Sequence, residues 1–556
     1  MQRASSSPTS LRVVVVGGVA GGMSAATRLR RLDASASITV LERSGYVSYA
    51  NCGLPYFVGG VIQDEDDLLL QTPERLFDRF RLDVRVNSEV VDIDAVSHTV
   101  NVRSTLDDSV TALDYDKLVL SPGALAIRPP LPGFDRVRSL KTIEDAQRLA
   151  EDVAAGPRTA VVIGAGFIGV ETAENLARSG ISVTLVEAAD QILTPLDPEL
   201  AVLVARELVT HGVTVITGAA VTSVRTDSVE LADGRSVSGE LVVGSIGVRP
   251  DVRLANMAGL TLGVTGGIEV THAGQTSDPD IYAVGDAVEK SDWIGGGGSL
   301  VALANVANRQ GRRVADHISG LPVRRAPSLG TAIVKVFDRV AAMTGWNEKR
   351  LRTAGRAYGV VRSHPMNHAG YYPGAEQMSM KFLFDPVTGE ILGAQIVGGH
   401  GVDKRIDVIA TAMTGGIAAY ELADVELAYA PPFSSAKDPI NMLGYMAENA
   451  MSGVVGVEPD ELTCLIEKGW RILDVRSQLE HDTGSIPGST CVPIDRLRES
   501  LANIGPGPFV VYCAVGQRGH TAASLLTELG YEARNLDGGF RTWSAFEAAQ
   551  ASAASR

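Results

Sequence analysis

The sequence predicts an α/β fold arranged in several domains. A chain of 556 residues is too long to form a single hydrophobic core. Two segments, one near residue 13 and one near residue 160, place a short apolar run before a Gly-rich turn and a helical pattern, as parallel strand–turn–helix units do. The pattern changes again near residue 455, where a separate compact α/β domain is expected.

Composition and charge exclude several classes of function. A net charge of −15 argues against binding to nucleic acid or to anionic membranes. No apolar run reaches the roughly 20 residues of a membrane span. The four cysteines form no CxxC or Cys/His cluster, so no metal site is expected. So few cysteines fit a reducing compartment, and the cytoplasm is the expected location.

The first unit has the pattern of a dinucleotide-binding fold. Its strand, turn, helix and second strand are predicted at residues 13–16, 17–22, 23–31 and 38–42. Gly17 and Gly22 would let the backbone approach a pyrophosphate at the helix N-terminus. Glu42 lies about 20 residues beyond the turn, where a carboxylate accepts ribose hydroxyls. The turn departs from the G-x-G-x-x-G pattern at Val19.

The second unit matches that pattern fully. Its strand, turn, helix and second strand are predicted at residues 160–163, 164–169, 170–179 and 181–186. Gly164, Gly166 and Gly169 complete the fingerprint. Glu187 would accept a ribose 2′-hydroxyl and repel a 2′-phosphate, which favours NADH over NADPH without excluding NADPH.

The order of these units resembles the flavoprotein disulfide reductases that bind two dinucleotides. Residues 118–124, 243–250 and 276–286 are similar to further segments of that family. The resemblance implies an FAD-binding domain of residues 10–125 and 255–325, interrupted by an NAD(P)H-binding domain of residues 126–254. The implied cofactor-binding residues are Gly17, Gly22, Glu42, Arg43, Ser121, Gly123, Gly164, Gly166, Gly169, Glu187, Gly285 and Asp286.

One cysteine follows the first unit, in residues 48–56. Dithiol members of the superfamily carry two nearby cysteines, whereas the next cysteine after Cys52 is Cys464. A single thiol beside a flavin can form a mixed disulfide or cycle through sulfenic acid. Over residues 11–450 the sequence resembles the CoA-disulfide reductases, in which this cysteine holds CoA as a mixed disulfide. The implied CoA contacts are Ser24, Arg28, Arg31, Ser48 and Asn51, while Phe80 stands where some relatives have Lys.

Residues 326–450 resemble the dimerisation domain of the same family. Strands are expected at residues 331–337 and 378–384, joined by irregular sequence, with a helix at residues 403–411. The resemblance of residues 368–374 and 428–439 implies an α+β domain and a homodimer. Tyr371 and Tyr429 would reach the cysteine of the partner subunit, where a phenol can protonate a leaving thiolate. The choice between Tyr371 and Tyr372 stays open.

Residues 455–550 resemble a single rhodanese module. A strand at residues 509–512 leads into a loop, residues 513–519, and then a helix at residues 521–529. The backbone N–H groups of such a loop, with Arg518, form a cup that favours a thiolate and can hold a persulfide anion on Cys513. Cys464 and Cys491 have no such setting and are expected to be packed.

The combination of parts predicts an FAD-containing enzyme that uses NADH to reduce CoA persulfide or polysulfide. Cys52 would form the mixed disulfide with CoA, and Cys513 would relay sulfane sulfur. Three alternatives stay open. They are plain CoA-disulfide reduction, NADH oxidase or peroxidase activity through a Cys52 sulfenate, and a redox-sensing binding protein whose flavin is structural.

Overall fold

The computed structural model describes residues 10–454 and 456–554. These residues form two compact units. The first contains residues up to 164 with residues 175–183 and 221–329, and the second contains residues 165–174, 184–220 and everything from residue 330. None of the helices in this part of the chain has the length and apolarity needed to cross a membrane.

A five-stranded parallel sheet forms the centre of the first unit. Its strand order is Ile281–Ala283, Lys117–Leu120, Arg12–Val16, Ser37–Leu41 and Asp83–Arg85. The central strand is buried on both faces, which explains its unbroken run of valines. Val13 and Val15 pack with helices Ala20–Leu32 and Ala304–Ile318, and Val14 and Val16 belong to the core on the opposite face.

Smaller elements surround this sheet. The antiparallel strands are Ser88–Asp94, Thr99–Ser104 and Val110–Asp114 in one sheet, and Val221–Val224, Ser228–Leu231 and Ser236–Ser238 in another. The paired strands are Thr159–Ile163 with Leu241–Gly244, Ala124–Ala126 with Val248–Pro250, and Lys290–Ser291 with Gly298–Ser299. The remaining helices are Leu54–Val58, Pro73–Phe80, Ile143–Ala154 and Arg253–Met257. Helix Phe167–Arg178 and strand Ser182–Val186 cross the division between the units.

The second unit contains a five-stranded antiparallel sheet. Its strand order is Ala332–Val336, Arg339–Gly345, Ile391–Gly398, Ser379–Phe384 and Gly359–Ser363. The expectation of irregular sequence between residues 337 and 378 is wrong, since two of these strands and helix Glu348–Thr353 lie there. Ala341, Ala342 and Gly345 are weak β-formers, so sheet pairing rather than local propensity makes their strand.

A parallel four-stranded sheet organises the C-terminal part of the second unit. Its order is Thr490–Cys491, Arg471–Asp474, Phe509–Tyr512 and Ala533–Asn535. The helix expected at residues 521–529 begins earlier, at Gln517, because Gly516 (φ +92°) ends the loop in the left-handed region.

The remaining elements of the second unit are mostly helical. The helices are Pro198–Thr210, Val402–Gly415, Pro439–Met451, Leu462–Glu467, Gln478–Asp482, Leu497–Ile504 and Gly539–Ala554, and strand Thr214–Ile216 pairs with residues 184–186. Cys464 is exposed, contrary to the expectation that it is packed, and Cys491 is half-buried. The α/β class predicted from the sequence is confirmed, with the α+β and C-terminal α/β parts in place.

Candidate functional site

The first Gly-rich turn is held by close backbone contacts. Gly17 has φ +98°, and a Cβ there would lie 2.1 Å from the carbonyl oxygen of Ser121. A Cβ on Gly22 would lie 1.9 Å from the carbonyl oxygen of Gly17, so the helix starts directly against the turn. Only glycine fits either position, which leaves the backbone open to a phosphate group.

An acidic residue closes each of the two Gly-rich turns. The buried Glu42 carboxylate accepts a hydrogen bond from the Gly18 N–H at 2.8 Å, and burial raises the pKa of Glu42. In the second turn Glu187 accepts one from the Ala165 N–H at 2.7 Å and another from Ala189 at 2.8 Å. Both acids therefore lie beside the residue that follows the first glycine of their turn, where a ribose would arrive next to a pyrophosphate.

The second turn also has room for a ligand. Gly164 (φ +95°) packs against the Ser245 backbone, where a Cβ would meet the carbonyl oxygen at 2.5 Å. Around Gly166, by contrast, an added Cβ would meet no atom of the described residues within 4 Å. The same is true of Gly123, which lies outside this turn among the residues expected to bind FAD. Gly169 follows in the first turn of the helix. Dinucleotides fit these turns, because the glycines either prevent clashes or border open space.

Residues 285 and 286 form a short turn after a strand of the parallel sheet. The Gly285 N–H donates to Gln310 at 2.9 Å, and the Asp286 carboxylate lies 3.9 Å from the Lys141 ammonium. The Lys290 ammonium donates to the carbonyl oxygens of Gly285 and Val288, and burial lowers its pKa to about 8. Sequence reasoning missed Gln310 and Lys290, since neither lies in a recognisable motif.

Cys52 is exposed in a short turn, Asn51–Gly53, immediately before helix Leu54–Val58. Its Sγ lies 3.9 Å from the Asn51 side-chain oxygen. The other three cysteines of the chain belong to the second unit. The thiol is therefore accessible to a substrate, and the first unit offers no second cysteine to form an internal disulfide with it.

Two of the residues expected to contact CoA already have hydrogen-bond partners on another helix. Ser24 Oγ bonds Asn308 at 2.7 Å, and Arg28 Nε bonds Asp316 at 2.7 Å, both on helix Ala304–Ile318. The Arg31 guanidinium lies 5.2 Å from the centre of the Phe80 ring, so Phe80 supports this arginine where some relatives have Lys. A phosphate bound at Arg28 would compete with Asp316. Ser48 adopts the left-handed region, with φ +49°.

Two of the three candidate tyrosines lie together on the second unit. The hydroxyls of Tyr371 and Tyr429 are 3.1 Å apart, and both rings are exposed. The hydrogen bond with Tyr429 raises the pKa of Tyr371. Tyr372 instead packs edge-on against the His368 ring. The pairing favours Tyr371 over Tyr372, and the role of either tyrosine stays a prediction.

Cys513 lies at the end of strand Phe509–Tyr512 and is fully buried. Its loop covers residues 513–516, shorter than predicted, and Arg518 lies in the first turn of the following helix. The Phe540 N–H donates to the Cys513 carbonyl at 2.8 Å, and the Arg541 N–H donates to Ala514 at 3.0 Å. The loop backbone is therefore fixed from the side of residues 538–541.

Arg518 is paired with Glu480, a residue that the sequence analysis did not single out. Two guanidinium nitrogens contact the two carboxylate oxygens at 2.9 and 2.5 Å. The hydrogen bond from Arg518 lowers the pKa of Glu480 to about 2, and Glu480 and the Cys513 thiol raise the pKa of Arg518. A signal was present in the sequence, because Ser477 and Glu480 have the spacing of a capping box and form one.

Asp474 and Arg476 form the base of this C-terminal site. Arg476 binds the Asp474 carboxylate through two nitrogens, and the Tyr512 hydroxyl donates to the same group at 2.8 Å. His481 Nδ1 lies 2.9 Å from it. Burial opposes ionisation of Asp474, but these hydrogen bonds outweigh it and lower its pKa. The carboxylate therefore stays charged and fully bonded.

Three family models match consecutive parts of the chain. Residues 11–311 match pyridine nucleotide-disulphide oxidoreductase, residues 331–439 match the dimerisation domain of the same oxidoreductases, and residues 458–546 match a rhodanese-like domain. An NADH oxidase of Methanocaldococcus jannaschii and a coenzyme A disulfide reductase of Staphylococcus haemolyticus are each 33% identical over 79% of this chain and 99% of their own.

Two solved structures match almost the whole chain. The reduced Bacillus anthracis CoADR-RHD is 44% identical, with a TM-score of 0.94 over 96% of this chain and 98% of its own. The NAD-dependent persulfide reductase from A. fulgidus is 37% identical, with a TM-score of 0.91 over 96% of this chain and 100% of its own. Both matches extend past the dimerisation domain, so they include most of the C-terminal part.

Proposed function

The chain belongs to the pyridine nucleotide-disulphide oxidoreductase family, and on that premise we propose that it is an FAD-containing enzyme that uses NADH to reduce CoA persulfide or polysulfide. The observation that carries the proposal is an exposed Cys52 after the first dinucleotide turn, in a chain that also holds the Cys513 loop. The full-length similarity to a persulfide reductase favours persulfide as the acceptor.

The cofactors would occupy the two Gly-rich turns. FAD, when bound, supplies a carrier that takes two electrons from NADH and delivers them to a sulfur centre. Its binding residues would be Gly17, Gly22, Glu42, Arg43, Ser121, Gly123, Gly285 and Asp286. NADH would lie against Gly164, Gly166, Gly169 and Glu187, and the acidic Glu187 favours NADH over NADPH.

Cys52 carries the sulfur chemistry in this scheme. Its thiolate attacks the CoA-bound sulfur of CoA persulfide, the S–S bond breaks, and hydrosulfide leaves as the Cys52–CoA disulfide forms. Two electrons then cleave that disulfide, which releases CoA and restores the Cys52 thiolate. One NADH and one proton thus convert one CoA persulfide into CoA and hydrogen sulfide.

The dimerisation domain supplies the proton donors in a homodimer. Tyr371 and Tyr429, already within hydrogen-bond distance of each other, would face the cysteine of the partner subunit and protonate the departing CoA thiolate. Ser24, Arg28, Arg31, Ser48 and Asn51 would hold CoA. Arg28 would exchange its contact with Asp316 for a phosphate.

Cys513 would exchange sulfane sulfur with CoA. The loop backbone and the N-terminus of helix Gln517–Glu528 favour a persulfide anion. Glu480 already balances the charge of Arg518, so the backbone supplies most of the stabilisation of that anion.

Two measurements test the proposal. Mass spectrometry of the purified protein should detect a CoA adduct on the peptide that contains Cys52. NADH-dependent release of sulfide from CoA persulfide should be lost in Cys52→Ser and kept in Cys464→Ser, a matched change of an exposed cysteine. Full activity of Cys52→Ser would exclude this mechanism.

Plain CoA-disulfide reduction is the second candidate, favoured by the Staphylococcus haemolyticus relative. The same Cys52 attack on CoA disulfide would release CoA thiolate instead of hydrosulfide. The ratio of kcat/KM on CoA disulfide and CoA persulfide separates the two functions. Oxygen-dependent loss of NADH without a sulfur acceptor would favour the oxidase activity named for the other relative.

A further inference from the structure

A cluster of buried charges joins the antiparallel sheet to the C-terminal domain within the second unit. Arg362, on the edge strand Gly359–Ser363, has a side chain that is only 7% exposed. Its guanidinium contacts Asp537 at 3.3 Å and also contacts Glu458, and both carboxylates belong to the C-terminal domain. On the sheet side it contacts Glu199 at 3.3 Å.

A second cation completes the cluster. The Lys381 ammonium is 1% exposed and contacts Asp197 at 2.8 Å and Glu199 at 2.7 Å. Burial would lower the pKa of Lys381, but Glu199 and the other carboxylates raise it. The cation stays charged and fixes Glu199, which in turn fixes the Arg362 guanidinium. Arg362 is therefore held rigidly before it reaches the C-terminal domain.

The residues after Asp537 reach the Cys513 loop directly. A Cβ on Gly538 would lie 3.2 Å from Cβ of Arg362, and a Cβ on Gly539 would lie 2.4 Å from the Cys513 carbonyl oxygen. The next two residues donate the hydrogen bonds that hold the loop backbone at Cys513 and Ala514. One short segment, residues 537–541, thus contacts Arg362 on one side and the Cys513 loop on the other.

We propose that Arg362 is a positioning residue for the Cys513 loop. It anchors residues 537–541 to the sheet, and this segment sets the shape of the loop that holds the sulfur-accepting thiol. The C-terminal domain therefore works as a fixed part of the second unit and not as a swinging arm. Its role in sulfur transfer rests on the proposed function of Cys513, whereas the anchoring itself does not.

The energetics of buried charges support a fixed position. Moving the C-terminal domain away would leave Arg362 without Asp537 and Glu458, and opening a buried ion cluster is strongly unfavourable. His364 directly follows the same edge strand, and its Nε2 lies 2.7 Å from Thr542 Oγ1. Helix Gly539–Ala554 also packs on helix Pro198–Thr210.

The test compares Arg362→Met with Arg362→Lys and with the control Arg356→Met. Arg356 pairs with Glu390 on the sheet domain. The full-length holoenzyme is treated with iodoacetamide, and the alkylation rate of each cysteine is followed by peptide mass spectrometry. We expect Cys513 to react about 100-fold faster in Arg362→Met, because breaking a buried ion pair opens the contact. The half-buried Cys491 of the same domain should keep its rate.

Sulfur acceptance provides the functional readout. Thiosulfate transfers its outer sulfur to the Cys513 thiolate, which breaks the S–S bond, releases sulfite and leaves a Cys513 persulfide. We expect the single-turnover rate constant of this transfer, followed by the sulfite released, to fall at least about tenfold in Arg362→Met and to recover in part in Arg362→Lys, which keeps the charge but not the fork geometry. Reduction of the flavin by NADH should be unchanged in all variants.

Several results would overturn the inference. An unchanged Cys513 rate in Arg362→Met, or equal acceleration of Cys491 and Cys513, would mean that Arg362 does not position the loop. Normal sulfur transfer in that variant would have the same meaning. If the unmodified protein takes no sulfur from thiosulfate, the proposed relay fails, and the alkylation pattern still decides the anchoring.

Discussion

His364 provides a pH-dependent test of the contact between the C-terminal helix and the sheet. Its Nδ1 lies 3.0 Å from Ser379 Oγ and its Nε2 lies 2.7 Å from Thr542 Oγ1. Burial, together with the nearby cations Arg541 and Arg362, lowers the pKa of His364 to about 3. In the opened state the imidazole faces water and regains its usual pKa of 6.5.

The sign of the effect follows from proton binding. The docked state keeps His364 neutral, so its stabilising contribution is complete above pH 6.5 and is lost as the pH falls toward 3. Well below pH 6.5 the opened state binds one proton more than the docked state. Each further fall of one pH unit therefore makes the free energy of docking less favourable by about 1.4 kcal/mol. Half of the opened-state imidazole is already protonated at pH 6.5, so lowering the pH from about 6.5 to 5 should reduce the contribution of His364 to docking by about 1.7 kcal/mol, or about 16-fold in the opening equilibrium.

The assay is amide hydrogen exchange of helix Gly539–Ala554, corrected for the intrinsic pH dependence of exchange. The comparison is between the unmodified protein and His364→Gln, which can still reach Thr542 but does not titrate. We expect the opening equilibrium of the unmodified protein to rise about 16-fold relative to the variant between about pH 6.5 and 5. Parallel pH dependences in the two proteins would refute the reasoning.

Three further substitutions have expected outcomes. Gly311→Ala places a Cβ 2.2 Å from the backbone of the first helix, so we expect a loss of about 1–3 kcal/mol in unfolding free energy and weaker FAD retention, measured by denaturation and flavin release. Tyr512→Phe removes one donor to Asp474, and urea unfolding should show a loss of about 1–3 kcal/mol. Glu480→Gln frees the Arg518 charge, so the thiosulfate concentration that gives half the maximal rate of sulfur transfer to Cys513 should fall; an unchanged concentration would show that Arg518 does not meet the anion.

Sequence reasoning succeeded where a short stretch of chain determines the geometry. Gly17 and Glu42 could be placed because the turn and the next strand are adjacent in any strand–turn–helix unit. The same holds for Gly164 and Glu187, which repeat the arrangement. The loop at Cys513 was found for a similar reason, although its helix begins sooner because Gly516 ends the loop.

The rest depends on contacts between distant residues. Arg362 and Asp537 are 175 positions apart, and Lys381 and Glu199 are 182 apart. In the sequence these side chains look like ordinary surface charges, since long-range pairing alone buries them. Tyr371 could not be separated from Tyr372 for the same reason, because its partner Tyr429 comes from another segment. Glu480 was accessible to sequence reasoning through its capping box but lies outside the loop motif.

The buried cluster contains more carboxylates than cations, and this imbalance has a consequence for pH. Lys381 contacts Asp197, Glu199 and Glu348, and Arg362 contacts Glu199, Glu348, Glu458 and Asp537. Burial raises the pKa of Glu458 and of Asp537, so these carboxyls hold protons more tightly than in water. Their stabilising contribution is complete below the usual value of 4.5 for Glu458 and is lost as the pH rises toward neutrality.

His364 titrates with the opposite sign beside the same cluster. Acid therefore weakens the docked C-terminal domain through His364, while alkali weakens it through Glu458 and Asp537. The two effects overlap between the usual pKa values of 4.5 and 6.5, so docking should be strongest within or close to that interval. The anchor of the Cys513 loop is then firmest where opening gains least, in sum, from protonation of His364 and ionisation of the carboxyls.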